Sequence, residues 1–154
     1  MINLRPLVNA DIAVIENWPA YPPEFEELNY ALRSNGWLAE FHGKPDTWIY
    51  IAEQAGEVVA FSIISSTSPA EAEFRIAMHP SKIGLGLGKT ITSMTLERGF
   101  SETALTRIHL IVRRNNQRAI GLYRAVGFKE YGHCVKSVNG KLVNFLQMDI
   151  SRST

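Results

Sequence analysis

The chain has 154 residues, 45% apolar and 20% charged, with 16 Lys and Arg against 15 Asp and Glu for a formal net charge of +1. This composition excludes a disordered chain, and the even charge excludes a basic stripe able to neutralise many nucleic-acid phosphates. The length fits one domain spanning 1–154, large enough to bury a sizeable core. The single cysteine, Cys134, cannot close an internal disulfide and fits a reducing compartment. The start, Met1-Ile2-Asn3-Leu4-Arg5-Pro6, lacks a basic segment followed by an apolar run, and no stretch approaches ~18 apolar residues. A cytoplasmic protein with neither nucleic acid nor membrane as partner is expected.

Ile2 to Leu7 alternates apolar with polar residues and reads as a first strand. Asp11 is placed to cap a helix through Ile12, Val14 and Ile15, which Pro19, Pro22 and Pro23 terminate. Pro23 opens a second helix, where Phe25, Leu28, Ala31, Leu32 and Leu38 roughly keep a helical period from Glu24 to Phe41. Gly43-Lys44-Pro45-Asp46 breaks it. Trp48 to Glu53 and Val58 to Ser65 are β-branched and aromatic runs joined by the turn composition Gln54-Ala55-Gly56-Glu57. Glu71 to Met78 alternates strictly, with Ala72, Phe74, Ile76 and Met78 on one face and Glu71, Glu73, Arg75 and Ala77 on the other. A helix follows through Leu87, Ile91, Met94 and Arg98 to Gly99, then a strand from Arg107 to Val112, a helix from Asn116 to Val126 and a strand from Gly127 to His133. Val138-Asn139-Gly140-Lys141 signals a type I′ hairpin into a last strand, Leu142 to Ile150. The chain is mixed α/β, without internal repeats.

Chemistry concentrates between the third alternating run and the helix after it, in His79-Pro80-Ser81-Lys82-Ile83-Gly84-Leu85-Gly86-Leu87-Gly88-Lys89-Thr90. A nucleotide P-loop needs glycine five residues before the glycine of Gly-Lys-Thr, where this chain has Ile83. A dinucleotide fingerprint started at Gly84 or Gly86 needs glycine at Lys89 or Ile91, so it fails as well. Glycines at a helix N-terminus still let backbone N–H groups approach an anion closely, although an ordinary strand-to-helix turn would use the same residues. Further on, Val112, Asn116, Ala119, Leu122, Tyr123, Gly127 and Phe128 stand in the spacing V-x-x-x-N-x-x-A-x-x-L-Y-x-x-x-G-F. On a helix from Asn116, residues Ala119, Leu122 and Val126 share an inward face with Tyr123 among them, and Tyr123 alone would read as a core aromatic with its hydroxyl at the surface.

Position by position, that second pattern resembles the GNAT superfamily of acetyl-CoA-dependent N-acetyltransferases. The pyrophosphate loop of that family, usually Gln or Arg, two residues, glycine, one residue, then glycine or alanine, maps onto Ile83, Gly86 and Gly88. Ile83 departs from it, which shifts phosphate binding onto the backbone with help from Lys82 or Lys89. The resemblance covers the last hundred residues well and the first fifty only in their strand-helix-helix pattern. It implies a mostly antiparallel sheet of about seven strands flanked by helices, with the fourth and fifth strands splayed at a bulge where pantetheine enters.

Carried onto this chain, the resemblance implies acetyl-CoA as cofactor. Backbone at Ile76, Ala77 and Met78 would hold pantetheine, Ile83, Gly84, Leu85, Gly86, Leu87, Gly88 and Lys89 the pyrophosphate, and Asn116 and Tyr123 the cofactor arm. A lysine-like amine of pKa ~10.4 must lose a proton at pH 7, ~3.4 units or about 4.6 kcal/mol, and a cleft carboxylate can receive it. Glu73 is the candidate base, with Glu71 behind it; an ion pair between Glu73 and Arg75 on the same face is the alternative. Tyr123 is the candidate acid or hydrogen-bond donor for the departing thiolate. His79, His109 and Cys134 match neither a Cys-His nucleophile nor a metal spacing, and no metal is expected. Tyr30, Glu27 and Trp37, beside Tyr21, Glu24 and Glu26, are candidate acceptor contacts, acids next to aromatics suiting a cationic amine, although acids in a first helical turn also favour the dipole. The acceptor is a small-molecule amine or, alternatively, a protein N-terminus or lysine. A non-catalytic acyl-CoA sensor is a third reading, and a homodimer is left open.

Overall fold

The computed structural model describes residues 1–152. Seven strands, β1 (Ile2–Pro6), β2 (Thr47–Gln54), β3 (Glu57–Ser68), β4 (Glu71–Met78), β5 (Arg107–Arg113), β6 (Lys129–Val138) and β7 (Lys141–Ser151), form one sheet in the order β1-β2-β3-β4-β5-β7-β6. Only the β4–β5 pair is parallel. The two expected hairpin turns carry the left-handed pairs that a type I′ turn requires, Ala55 and Gly56 at φ 53° and 81°, and Asn139 and Gly140 at φ 52° and 79°.

Alternation along the strands sends side chains to two apolar layers. On one face Leu4, Ala60, Ile64, Ala72, Phe74, Ile108, Leu110 and Met148 pack beneath α3 (Leu87–Glu102) and α4 (Gln117–Val126), with Ile91, Leu96 and Ile120 closing the layer. On the other face Ile51, Phe61, Ile63 and Ala77 lie under α1 (Asn9–Glu16), a 3-10 helix (Pro23–Leu32) and α2 (Trp37–Phe41). Phe61, Ile63 and Ile64 of β3 are all but inaccessible, each worth about 1.5–3 kcal/mol of burial.

Three expectations are corrected. Asp11 is not the cap of α1: the helix starts at Asn9 with Val8 before it. The Asp11 carboxylate instead accepts the Val8 N–H at 2.9 Å and both Arg5 amino groups at 2.8 Å, a bidentate pair between β1 and α1. The helix expected from Glu24 to Phe41 is two pieces, because the chain bends at Ser34-Asn35-Gly36, where the Gly36 N–H bonds the Arg33 carbonyl at 2.8 Å. In α4 the fully buried residue is Ile120, whereas Ala119, Leu122 and Val126 are only partly covered.

Arg5 holds the Asp11 carboxyl below the usual carboxylate range. A carboxyl lowered in the folded state stabilises above its unfolded pKa of ~3.9 and loses that contribution as pH falls through the lower folded value. Asp11→Ala should therefore cost about 2–3 kcal/mol at pH 7, the range for hydrogen bonds to a buried charge. The gap between wild type and variant should be flat above about pH 5 and close below about pH 4, as urea denaturation at a series of pH values will measure. A gap that widens towards acid would mean that Arg5 contributes nothing through Asp11.

Candidate active site

The β4–β5 ladder is short. It pairs Glu71, Ala72 and Glu73 with Arg107, Ile108 and His109 and then stops. Beyond it, Phe74–Met78 is paired only with β3 and Leu110–Arg113 only with β7, so the strands splay and one edge of β4 is left without a neighbouring strand. The bulge expected at this split is absent from β4, whose register with β3 is regular from Ala72 to Met78; the irregularity sits earlier, at Ser66–Ser68 of β3. On the helix side of the gap the Tyr123 ring packs edge to face on Phe74 and Phe128, 6.3 Å and 5.7 Å away between centroids.

A cavity of about 580 Å³ fills the split. Ile76, Ala77 and Met78 line it from β4, and Ile83, Gly84, Gly86, Gly88 and Lys89 from the loop entering α3. Asn116 and Tyr123 line it from α4, and Tyr30 and Trp37 from the N-terminal helices. Glu73 faces it as well. Leu85 and Leu87 do not: Leu85 points to solvent and Leu87, the first residue of α3, packs partly buried against the core. Glu71 lies outside, bonded to Arg107 at 3.1 Å. Glu27 is not a wall residue and stands 4.0 Å from Arg113, at the limit of an ion pair, while Glu24 and Glu26 are exposed.

Local chemistry explains several of these positions. Gly84 and Gly86 adopt φ 86° and 80°, where a side chain is strained, and Gly86 caps the 16-residue α3. The first N–H groups of α3 thus open onto the loop with the helix dipole behind them, an arrangement suited to a phosphate. Gly88 has a different reason: a Cβ there would lie 2.9 Å from Leu122, so this glycine lets α3 approach α4. Ile83 packs with the apolar layer under the N-terminal helices, which accounts for an aliphatic residue where the family resemblance calls for Gln or Arg. Arg118 makes up the charge. Its guanidinium lies over the Phe25 ring at 5.4 Å and comes within 3.4 Å of where a Gly84 Cβ would be. Sequence reasoning passed over Arg118, although its place two residues after Asn116, in the first turn of a helix that faces the loop, is a usable signal.

Asn116 has a structural duty of its own, its Oδ1 accepting the Ala119 N–H at 3.1 Å as the cap of α4. The Tyr21 hydroxyl donates to the Met78 carbonyl at 2.6 Å, so this aromatic ties the N-terminal segment to the end of β4. Glu73 is ion-paired with Arg75, whose Nε donates to Oε1 at 2.9 Å, as the alternative reading of the sequence held. Burial pushes the Tyr123 phenol well above the ordinary tyrosine value, so the hydroxyl stays protonated throughout the neutral and mildly alkaline range. His109, opposite Glu73 in the short ladder, is pushed down by burial and then by Arg107, and its Nε2 meets the Thr67 hydroxyl at 3.0 Å.

Taken together, these groups form a slot with a free strand edge, an anion-compatible loop at one end and one carboxylate opposite a phenol. A family model for the GNAT acetyltransferases matches residues 12–128. The spermidine N(1)-acetyltransferase of Escherichia coli strain K12 is 33% identical over 81 residues, 51% of this chain and 44% of that protein. The spermidine N(1)-acetyltransferase of Vibrio cholerae is 34% identical over 84 residues, 53% of this chain and 49% of that one, so the matched stretch is about half the length of these curated relatives. The crystal structure of spermidine N-acetyltransferase from Vibrio cholerae with CoA and spermine superposes with a TM-score of 0.80 at 23% identity, over 97% of this chain and 95% of that one, a likeness of fold.

Proposed function

Since the chain belongs to the GNAT acetyltransferase family, we propose that it transfers an acetyl group from acetyl-CoA to the primary amine of a small molecule, the amine attacking the thioester directly while both are bound. The observation that carries this reading is the split of β4 from β5 with a glycine loop and helix N-terminus at its end. Bound acetyl-CoA supplies an acyl carbon already activated as a thioester.

The chain's own residues do the rest. The free edge of Phe74–Ala77 offers backbone N–H and C=O groups without a strand partner to an extended amide-bearing arm, as a strand edge does for any strand-like ligand, while the Met78 carbonyl is held by Tyr21. Gly84, Gly86 and the first turn of α3 receive the pyrophosphate, with Lys82, Lys89 and Arg118 adding positive charge at the same end of the cavity. Glu73 takes the proton that the amine must lose; with Oε1 held by Arg75, Oε2 is the atom that receives it, directly or through water. Tyr123 donates its O–H towards the departing sulfur. The apolar walls Ile76, Met78 and Leu122 exclude bulk water from the reacting centre.

Free CoA should raise the melting temperature, because a ligand selective for the native state stabilises it by about 2.7 kcal/mol at 100-fold excess over Kd. At about 2–4 °C per kcal/mol for a chain of this size, that is a shift of about 5–11 °C, with NAD and ATP giving much less. Calorimetry that finds no CoA binding at millimolar concentration would remove the cofactor assignment. Saturable CoA binding with no thiol release from acetyl-CoA across a broad amine panel would make the domain a sensor instead.

A further inference from the structure

Resting on that reading, we infer that the acceptor is an amine that also carries an acidic group, a carboxylate or phosphonate, gripped by Arg75, and not a polycation. The strand registers place Glu73 and Arg75 of β4, Arg113 of β5 and Lys136 of β6 on one face of the split, opposite the face on which Tyr123 and α4 pack. All four line the cavity. Three cations therefore share this face of the cavity with a single lining carboxylate, and that carboxylate is already ion-paired with Arg75. Among the described residues Glu73 is the only acid in the cavity wall, and Glu27, outside that wall, is 4.0 Å from Arg113. A polyamine bears a charge every few carbons and needs a carboxylate for each; this wall offers none to spare.

Arg75 is built to hold an anion. Its guanidinium lies 5.2 Å from the Trp37 ring and 4.8 Å from the Phe41 ring, and its Nε is fixed on Glu73 at 2.9 Å. Those contacts lock the plane while using only one of the five N–H donors of the side chain, which leaves the two terminal amino groups for a planar acid. The rotamer is set before the ligand arrives, so little ordering entropy opposes binding. Residues two apart on a strand lie roughly 6.6 Å apart, so an amine at Glu73 and an acid at Arg75 are separated by only a few bonds, the spacing of an amino acid or aminoalkylphosphonate.

The test is equilibrium titration of protein saturated with CoA, and of the protein alone, with the standard α-amino acids and 2-aminoethylphosphonate, each beside its matched amide or amino alcohol, and with spermidine. At least one acid-bearing amine should bind 10–100-fold more tightly than its neutral partner and more tightly than spermidine, the scale of a charge-assisted hydrogen-bonded pair. Arg75→Gln should bring that ratio close to one. Arg75→Lys, which keeps a charge beside Glu73 and guards against misfolding, should leave it below about threefold, while CoA affinity is unchanged in both. Spermidine binding more tightly than every acid-bearing amine, or a ratio that survives Arg75→Gln, overturns the inference while leaving the transferase reading intact. Failure of CoA itself to bind overturns that reading instead, and the titration without CoA still decides whether Arg75 holds an acid.

Discussion

Replacing Tyr123 with Phe should lower the turnover number by about 10²-fold, the lower end of the 10²–10⁴ associated with positioned proton donors. The substitution leaves the ring where Phe74 and Phe128 hold it, at 6.3 and 5.7 Å, and deletes only the hydroxyl of this cavity-lining residue. The lower end follows from burial. A thiol of pKa about 8.5 facing an unperturbed phenol of ~10 already makes full proton transfer uphill by ~1.5 units, about 2 kcal/mol. Desolvation at Tyr123 raises the phenol further, so the hydroxyl acts as a hydrogen-bond donor to the developing thiolate more than as an acid that parts with its proton. Two readouts separate this from a packing role. CoA affinity should stay nearly constant while kcat falls, and the wild-type kcat profile should show no loss from phenol ionisation up to about pH 10, because the raised pKa keeps the O–H in place. Wild-type turnover in Tyr123→Phe, with chemistry rate-limiting, would reduce the residue to a wall of the cavity.

What could be read from the sequence was local and periodic. Strict alternation from Glu71 to Met78 defined β4 to the residue, and Asn-Gly and Ala-Gly pairs marked both hairpins. The spacing from Val112 to Phe128 placed α4 because those residues lie within one helix and its flanks, whereas the capping duty of Asn116 emerged only with the structure. What escaped depends on contacts between distant segments. Asp11 reads as a cap until Arg5, on the neighbouring strand, is seen to claim both carboxylate oxygens. The Glu73–Arg75 pair was one of two readings that alternation on β4 allowed, but the Trp37 ring that holds Arg75 comes from a distant segment. Arg118 and Ile83 exchange roles in a way that no linear motif records, the aliphatic residue turning into the core and the arginine reaching the loop from another helix. Gly88 fits the motif for one reason and the fold for another, since spacing alone cannot tell close approach to a ligand from close approach to Leu122.

The bend at Gly36 shows the same limit and leads to the largest expected loss of stability. Gly36 is buried at the junction between the 3-10 helix and α2, with φ −89°, a value open to any residue, so its identity is not set by backbone conformation. Space sets it: a Cβ there would meet the Tyr30 carbonyl oxygen and lie 2.6 Å from that of Ala31, and both are backbone atoms that no rotamer change can move aside. Gly36→Ala should therefore cost about 3 kcal/mol or more, the upper end of what overpacking costs, despite the better helix propensity of Ala. At about 2–4 °C per kcal/mol the melting temperature should fall by about 6–12 °C. Because the residues on either side of the clash, Tyr30 and Trp37, pack edge to face at 6.0 Å and line the cavity, the backbone shift that relieves it must also move the Trp37 ring under Arg75. KM for the acceptor should rise in the folded fraction while CoA affinity, held by the loop at the far end, is retained. Thermal denaturation and steady-state kinetics on the same preparation test both parts; a melting temperature within 2 °C of wild type would show that the bend relaxes freely and that Gly36 does not hold Trp37 in place.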